Sequence, residues 1–238
     1  MDLACFPMVP YANRIENGHF TFGTQSVRLE RNWEGDRHPL HGQGWRRPWT
    51  VIAATVSSAR LSFEGGDDEW PWRYRAQQDF LLLGNTLSIR LAVENLSQAP
   101  MPVMLGLHPY FCDAGSALLQ ADVPRVWDTD EASLPIKEVA TPSAWLLDTA
   151  RSVTQTPLDH CFVGWDARAT ISWPDRWVVL EATNCHALHI YVPSGRDFFC
   201  LEPQSAPAGV LNRAAKEVPV VRPSEHCGIE VRFKVGVT

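Results

Sequence analysis

The chain has 238 residues, 45% of them hydrophobic and 20% charged, with a formal net charge of −6 and a pI near 5.7. That length suits one large β domain or two ordinary ones and leaves room for a sizeable core. The composition is globular, and an acidic balance without a basic run excludes nucleic acid and anionic membrane as natural partners.

The start, MDLACFPMVPYANR, has no basic leader and only a short apolar stretch, so neither a signal peptide nor an anchor is expected. Strands are predicted at 50–63 and 73–83. In LSIRLAVENL, Leu87, Ile89, Leu91 and Val93 alternate with polar or small residues, the period of a half-buried strand. The segment AGSALLQADV is the one weak helix candidate. Further strands are predicted at 169–173 and 177–183. In ALHIYVPS, Leu188, Ile190 and Val192 share one face, and His189 and Tyr191 the other. GIEVRFKVGV alternates again, and Ser224 to Thr238 reads as the closing strand. Turn signals such as EGGDDEWP, LGNT and PSGRD separate these runs. The 18 prolines would interrupt most helices. The pattern predicts one all-β domain over residues 1–238, a large sandwich of two antiparallel sheets.

The six cysteines are scattered and form no CxxC pair, which reads as reduced core thiols in a cytoplasmic protein. No run approaches the roughly 18 apolar residues a membrane span needs. Most of the ten tryptophans are expected in the core or on sheet faces.

Several stretches put polar groups in apolar company. PYANRIENGHFTF holds Asn13 and Arg14, and an Arg in such a loop either makes planar bidentate bonds or is tied to a carboxylate. HPLHGQGWRRPW holds His38 and His41, and the glycine after His41 suggests a close backbone approach; alone, each reads better as a surface-loop histidine. GLHPYF ends an apolar segment on His108, and FFCLEPQS carries Glu202 after a strand-like run. Both are costly positions unless the group is bonded or used. LDHCFVGW adds Asp159 and His160. Together they offer acids, bases and charged hydrogen-bond donors at strand–loop junctions, the set that proton transfer on a polyol needs.

In order along the chain, PYANRI, HGQGW, GLHPYF, DHCF and CLEP resemble the motifs of the aldose 1-epimerases. The resemblance runs from about residue 5 to the C-terminus. It implies an antiparallel β-sandwich with a sugar cleft on one sheet. It also implies His108 as general acid, Glu202 as general base, and Asn13, Arg14, His41 and Asp159 as ligands of sugar hydroxyls. No metal or organic cofactor is implied; the expected partner is a small sugar, and the protein a monomer or homodimer. Such proteins usually carry several strands before the NRI motif, where this chain has about a dozen residues. Either the start is shortened or those strands are absent, and missing strands would leave a sheet edge open to dimerisation or instability. Ala208 stands where many relatives place an Asp.

Other readings remain at this stage. A sugar-binding protein without catalysis would use the same fold. A glycosidase would use Asp159 and Glu202 and leave His108 without a role. A phosphorylated hexose could engage Arg46 and Arg47. A metal at Cys185, His186 and His189 is disfavoured, because residues 186 and 189 point to opposite faces of a strand.

Overall fold

A computed structural model describes residues 4–155 and 157–238. In chain order the strands are β1 (Cys5–Met8), β2 (His19–Phe22), β3 (Gln25–Arg28), β4 (Thr50–Ala54), β5 (Ser58–Gly65), β6 (Tyr74–Leu83), β7 (Thr86–Asn95), β8 (Met101–Pro102), β9 (Gly106–Cys112) and β10 (Leu118–Ala121). There follow β11 (Arg125–Thr129), β12 (Pro135–Ala140), β13 (Arg151–Ser152), β14 (Leu158–Val163), β15 (Arg168–Ser172), β16 (Arg176–Thr183), β17 (Ala187–Val192), β18 (Phe198–Gln204), β19 (Val220–Val221) and β20 (His226–Val237). One α-helical turn, α1 (Val210–Arg213), occurs among the described residues.

Two large sheets form the sandwich. One has seven strands in the order β1-β9-β18-β17-β14-β11-β12, the other nine in the order β13-β10-β15-β16-β20-β7-β6-β5-β4. Every strand pairing within them and in the two small two-stranded sheets is antiparallel. The inner faces come from the alternation: Ile89, Leu91 and Val93 on β7, Ile229 and Val231 on β20, against Leu107 on β9, Leu188 and Ile190 on β17, and Phe199 and Leu201 on β18. Each such side chain contributes about 1.5–3 kcal/mol by leaving water.

The sequence-predicted elements are mostly where the periodicity put them, with three corrections. The 50–63 run is a hairpin of β4 and β5, turned at Thr55–Ser57. AGSALLQADV is not helical: a 3-10 turn at Ala114–Ser116 leads into β10, where Leu119 and Ala121 are buried and Leu118 and Gln120 exposed. Period-2 burial and pairing to β15 and β13 override its helix propensity. Finally, the C-terminal strand β20 lies inside the nine-stranded sheet, between β16 and β7.

The short N-terminal segment is itself a strand. Residues 5–8 form β1, the edge of the seven-stranded sheet, paired residue by residue with β9 from Cys5↔Pro109 to Met8↔Gly106. The chain then turns over the outer face of this sheet, tied there by bridges Val9↔Gly42 and Arg14↔Leu40. Gly42 has φ +68, and a Cβ there would lie 2.3 Å from the Val9 carbonyl oxygen. The close approach expected at His41-Gly42 is therefore made by the protein's own backbone.

Candidate active site

The outer face of the seven-stranded sheet carries two rows of side chains. The register Phe6↔His108 joins β1 to β9, and Cys200↔Tyr110 with Gln204↔Gly106 sets Glu202 beside His108. His189↔Glu202 and Cys161↔His189 continue the row across β17 to β14. The next row holds Tyr110, Cys200, Tyr191 and Asp159. Residues scattered over about 200 positions thus form a patch, with Asn13, Arg14 and His41 brought over it by the loop after β1.

His108 and Glu202 are in direct contact, with Nε2 to Oε1 at 3.1 Å, and the side chains are 8% and 2% exposed. The imidazole lies against two aromatic rings, Phe6 at 4.3 Å and Tyr110 at 4.8 Å, both nearly parallel to it. Pro109 and Phe111 lie on the opposite face, where Phe111 stacks on Phe199 in the core. Gln204 Nε2 stands 3.4 Å from the other Glu202 oxygen, and His108 Nδ1 is buried without a partner among the described residues. Burial holds the His108 pKa below the ordinary histidine value, with Glu202 pulling the other way.

Asp159 is the second carboxylate. Its Oδ1 accepts from His189 Nε2 at 2.8 Å, its Oδ2 accepts from Ser133 Oγ at 2.9 Å, and Arg14 Nη2 lies 3.6 Å from Oδ2. Burial would raise this carboxyl, but His189 and Arg14 hold it well below the usual range. Arg14 Nε also donates to Asp36 Oδ2 at 2.7 Å, so one guanidinium joins two acids.

Asn13 and His41 adopt the left-handed conformation, with φ of 62° and 57°. Their backbones and rings interlock: Asn13 N–H donates to His41 Nδ1 at 3.1 Å, and His41 N–H donates to the Asn13 carbonyl at 3.1 Å. The Asn13 backbone bond leaves the neutral His41 ring with its proton on Nε2. Burial, with His108 and Arg14 nearby, pushes its pKa well below the ordinary value. All six residues singled out in the sequence, His108, Glu202, Asn13, Arg14, His41 and Asp159, therefore meet at one patch.

His189 also belongs to the patch, and the sequence reading gave it no role there. It is 5% exposed, bonded to Asp159, beside Glu202 in the register, and its Nδ1 is 3.1 Å from the Asn13 amide nitrogen. Burial disfavours its imidazolium, but Glu202 and Asp159 outweigh burial and raise its pKa to about 10. The Asn13 contact opposes this, because Asn13 Oδ1 accepts the Arg14 N–H at 2.8 Å and turns Nδ2 toward the ring. A neutral hydrogen bond is worth about 1 kcal/mol net. A unit charge pair about 4 Å apart is worth about 4 kcal/mol at an effective dielectric near 20. The carboxylates favour the charged ring, and turning the amide over, which gives up the Arg14 N–H bond, lets its oxygen accept Nδ1–H. The signal in the sequence was the alternation of ALHIYVPS, which set His189 on the polar face; the register bringing Glu202 and Asp159 to it has no sequence signature.

The remaining candidates separate. His38 is 1% exposed and structural: its Nδ1 accepts the Asn17 N–H at 3.0 Å. Arg46 and Arg47 both pair with Glu69. His186 is exposed, on the other side of its chain from His189. Ala208 is buried, and its N–H donates to Cys161 Sγ at 3.4 Å. His41, His108 and Glu202 have donor atoms within 4.8 Å of one another, a separation a metal ion could span. The chemistry does not fit one. A ligating histidine donates its second N–H outward, whereas His41 accepts at Nδ1 and keeps its proton on Nε2.

The family model for aldose 1-epimerases matches residues 2–234. The chain belongs to the aldose 1-epimerase family. Among its relatives, the uncharacterized Escherichia coli K12 protein YphB is 28% identical over 98% of this chain and 84% of its own length. A second uncharacterized protein of that organism, YihR, is also 28% identical, over 86% of this chain and 70% of its own. The crystal structure of a candidate aldose 1-epimerase from Escherichia coli K12 superposes with a TM-score of 0.93 at 28% identity, covering 100% of this chain and 85% of that one. A galactose mutarotase-like protein from Clostridium acetobutylicum shares the fold, with a TM-score of 0.86 at 18% identity over 99% of this chain and 79% of that one. No helix among the described residues is long and apolar enough to cross a membrane.

Proposed function

We propose that the protein interconverts the α and β anomers of an uncharged aldose, with His108 as proton donor and Glu202 as proton acceptor. The observation that carries this reading is the buried 3.1 Å contact between them. Both leaving and entering protons of this reaction sit on oxygens bonded to one carbon, C1. The acid and base must therefore stand side by side, as a separated pair would not serve.

Glu202 takes the proton of the anomeric hydroxyl while His108 gives one to the ring oxygen. The C1–O5 bond breaks, an aldehyde forms, and rotation about C1–C2 presents its other face. Closure reverses both transfers, so the pair ends with the proton count it began with. Phe6 and Tyr110 hold the imidazole plane and offer π faces that tolerate its cation. Arg14, His41 and Asp159 hold the remaining hydroxyls. His41 does so as a donor through Nε2–H, and Asp159 as a charged acceptor. Pairing of Arg46 and Arg47 with Glu69 favours a sugar without phosphate.

Polarimetry of freshly dissolved α-glucose and α-galactose tests the reading. The expected result is a decay to equilibrium faster than in buffer and proportional to protein concentration. Decay at the buffer rate, with sugar binding intact, would instead assign a sugar-binding protein on the same fold.

A further inference from the structure

We propose that His189 is a positioning residue of this site: it fixes the Asp159 carboxylate through Nε2 and sets a positive charge across the strand pair from Glu202. The inference rests on the anomer-exchange reading for its kinetic arm only.

The geometry is that of a cation enclosed by acids. From β14, Asp159 Oδ1 accepts from His189 Nε2 at 2.8 Å, and Cys161 is its direct partner across the strands. From β18, Glu202 is its partner on the other side. His108 on β9 and His41 from the loop face it as further imidazoles, Asn13 meets Nδ1, and Arg14 reaches the far oxygen of Asp159. Of these groups only Glu202 and Asp159 bear negative charge, and His189 is the imidazole adjacent to both. It is 5% exposed, bonded to Asp159 and paired in register with Glu202, beneath the loop residues. It therefore acts on sugar through the two carboxylates.

A positive His189 has two effects. It keeps Asp159 ionised and aimed with one oxygen bound, leaving Ser133 and Arg14 to orient the other. It also favours the charged form of Glu202, the form that removes the anomeric proton. His41, held toward neutrality, then keeps its Nε2–H for the sugar.

Two variants separate the effects. His189→Gln keeps a donor for Asp159 and a group for Asn13 but has no charge. His189→Leu has neither. In His189→Gln, KM is expected to stay within about twofold of wild type. The acid limb of the kcat/KM profile should move up by about one pH unit, since the site takes its proton more easily. His189→Leu should show that shift and a KM at least tenfold higher. A His189→Gln profile that superposes on wild type overturns the proposal, as does an unchanged KM in folded His189→Leu. The NMR titration of the histidine Cε1–H signals gives an arm independent of activity. The signal missing in His189→Gln should stay in its protonated position past pH 8 in wild type and lose that in Asp159→Asn. Titration at the ordinary histidine value overturns the proposal even in an active protein. A protein without exchange activity but with a high-pH His189 signal sinks the functional reading and leaves the electrostatic one standing.

Discussion

The two sheets treat charge in opposite ways. On the outer face of the nine-stranded sheet, Arg75 meets Glu64 and Glu94, Arg60 meets Asp79, and Arg232 meets Glu230, each through an exposed guanidinium. On the outer face of the seven-stranded sheet, His108, Glu202 and His189 are buried, and Arg14 and Asp159 are half-buried. The same residue types are thus solvated decoration in one place and desolvated, mutually bonded groups in the other. Exposed pairs are worth about 0–1 kcal/mol each, since solvent screens them. Buried groups that lose a partner cost several-fold more. Where the second face of a sheet is covered, a polar side chain on it has to be explained by its partners.

The contrast predicts a hierarchy of effects. The largest belongs to the acid–base pair: His108→Asn or Glu202→Gln should lower catalysed anomer exchange about 10²–10⁴-fold, as loss of a positioned acid or base typically does. Phe6→Ala should come next. It removes a buried ring that also stacks on His108, and should destabilise by about 3–5 kcal/mol in chemical denaturation while lowering kcat in the protein that remains folded. Arg14→Gln breaks contacts to Asp36 and Asp159 together and should weaken sugar binding at least tenfold, seen as a raised KM. Arg75→Gln, with equally many acid partners on the exposed face, should change stability by no more than about 0.5 kcal/mol and activity not at all. Equal effects of the two Arg variants would break the comparison.

pH sharpens it further. His189 has a folded-state pKa raised to about 10, so its contribution to stability is full below its ordinary value near 6.5 and is lost as pH rises toward 10. Asp159 is lowered, so its contribution is full above the ordinary carboxylate value and is lost as pH falls below it. Thermal melts should therefore show wild type losing its advantage over Asp159→Asn on both sides of a plateau between about pH 4 and 6.5. An advantage that is constant from pH 4 to 10 would remove the buried pair as its source.

How much of this was legible in the sequence follows the same division. Alternation located β6, β7, β16, β17 and β20, because a sheet with one wet face writes its orientation into every second residue. His108 and Glu202 stood out because each interrupts an apolar run. His189 did not, because what makes it part of the site is cross-strand register, set by pairing with residues 13 and 28 positions away. Phe6 was passed over as one more apolar residue near the start, and only β1–β9 pairing puts its ring on His108. The hydroxyl ligand assigned to Asn13 rested on resemblance. In the structure its backbone and amide hold His41 and His189, so its substitution should disturb two imidazoles as well as sugar contact.

The central claim is that His108 and Glu202 act as one proton-transferring pair at C1. The most direct measurement is two-dimensional NMR exchange between the α and β anomeric signals of an equilibrated aldose, with wild type, His108→Asn, Glu202→Gln and the double variant. The account predicts strong exchange cross-peaks with wild type, near-buffer exchange with either single variant, and no further loss in the double. Wild-type-like exchange in either single variant would contradict it.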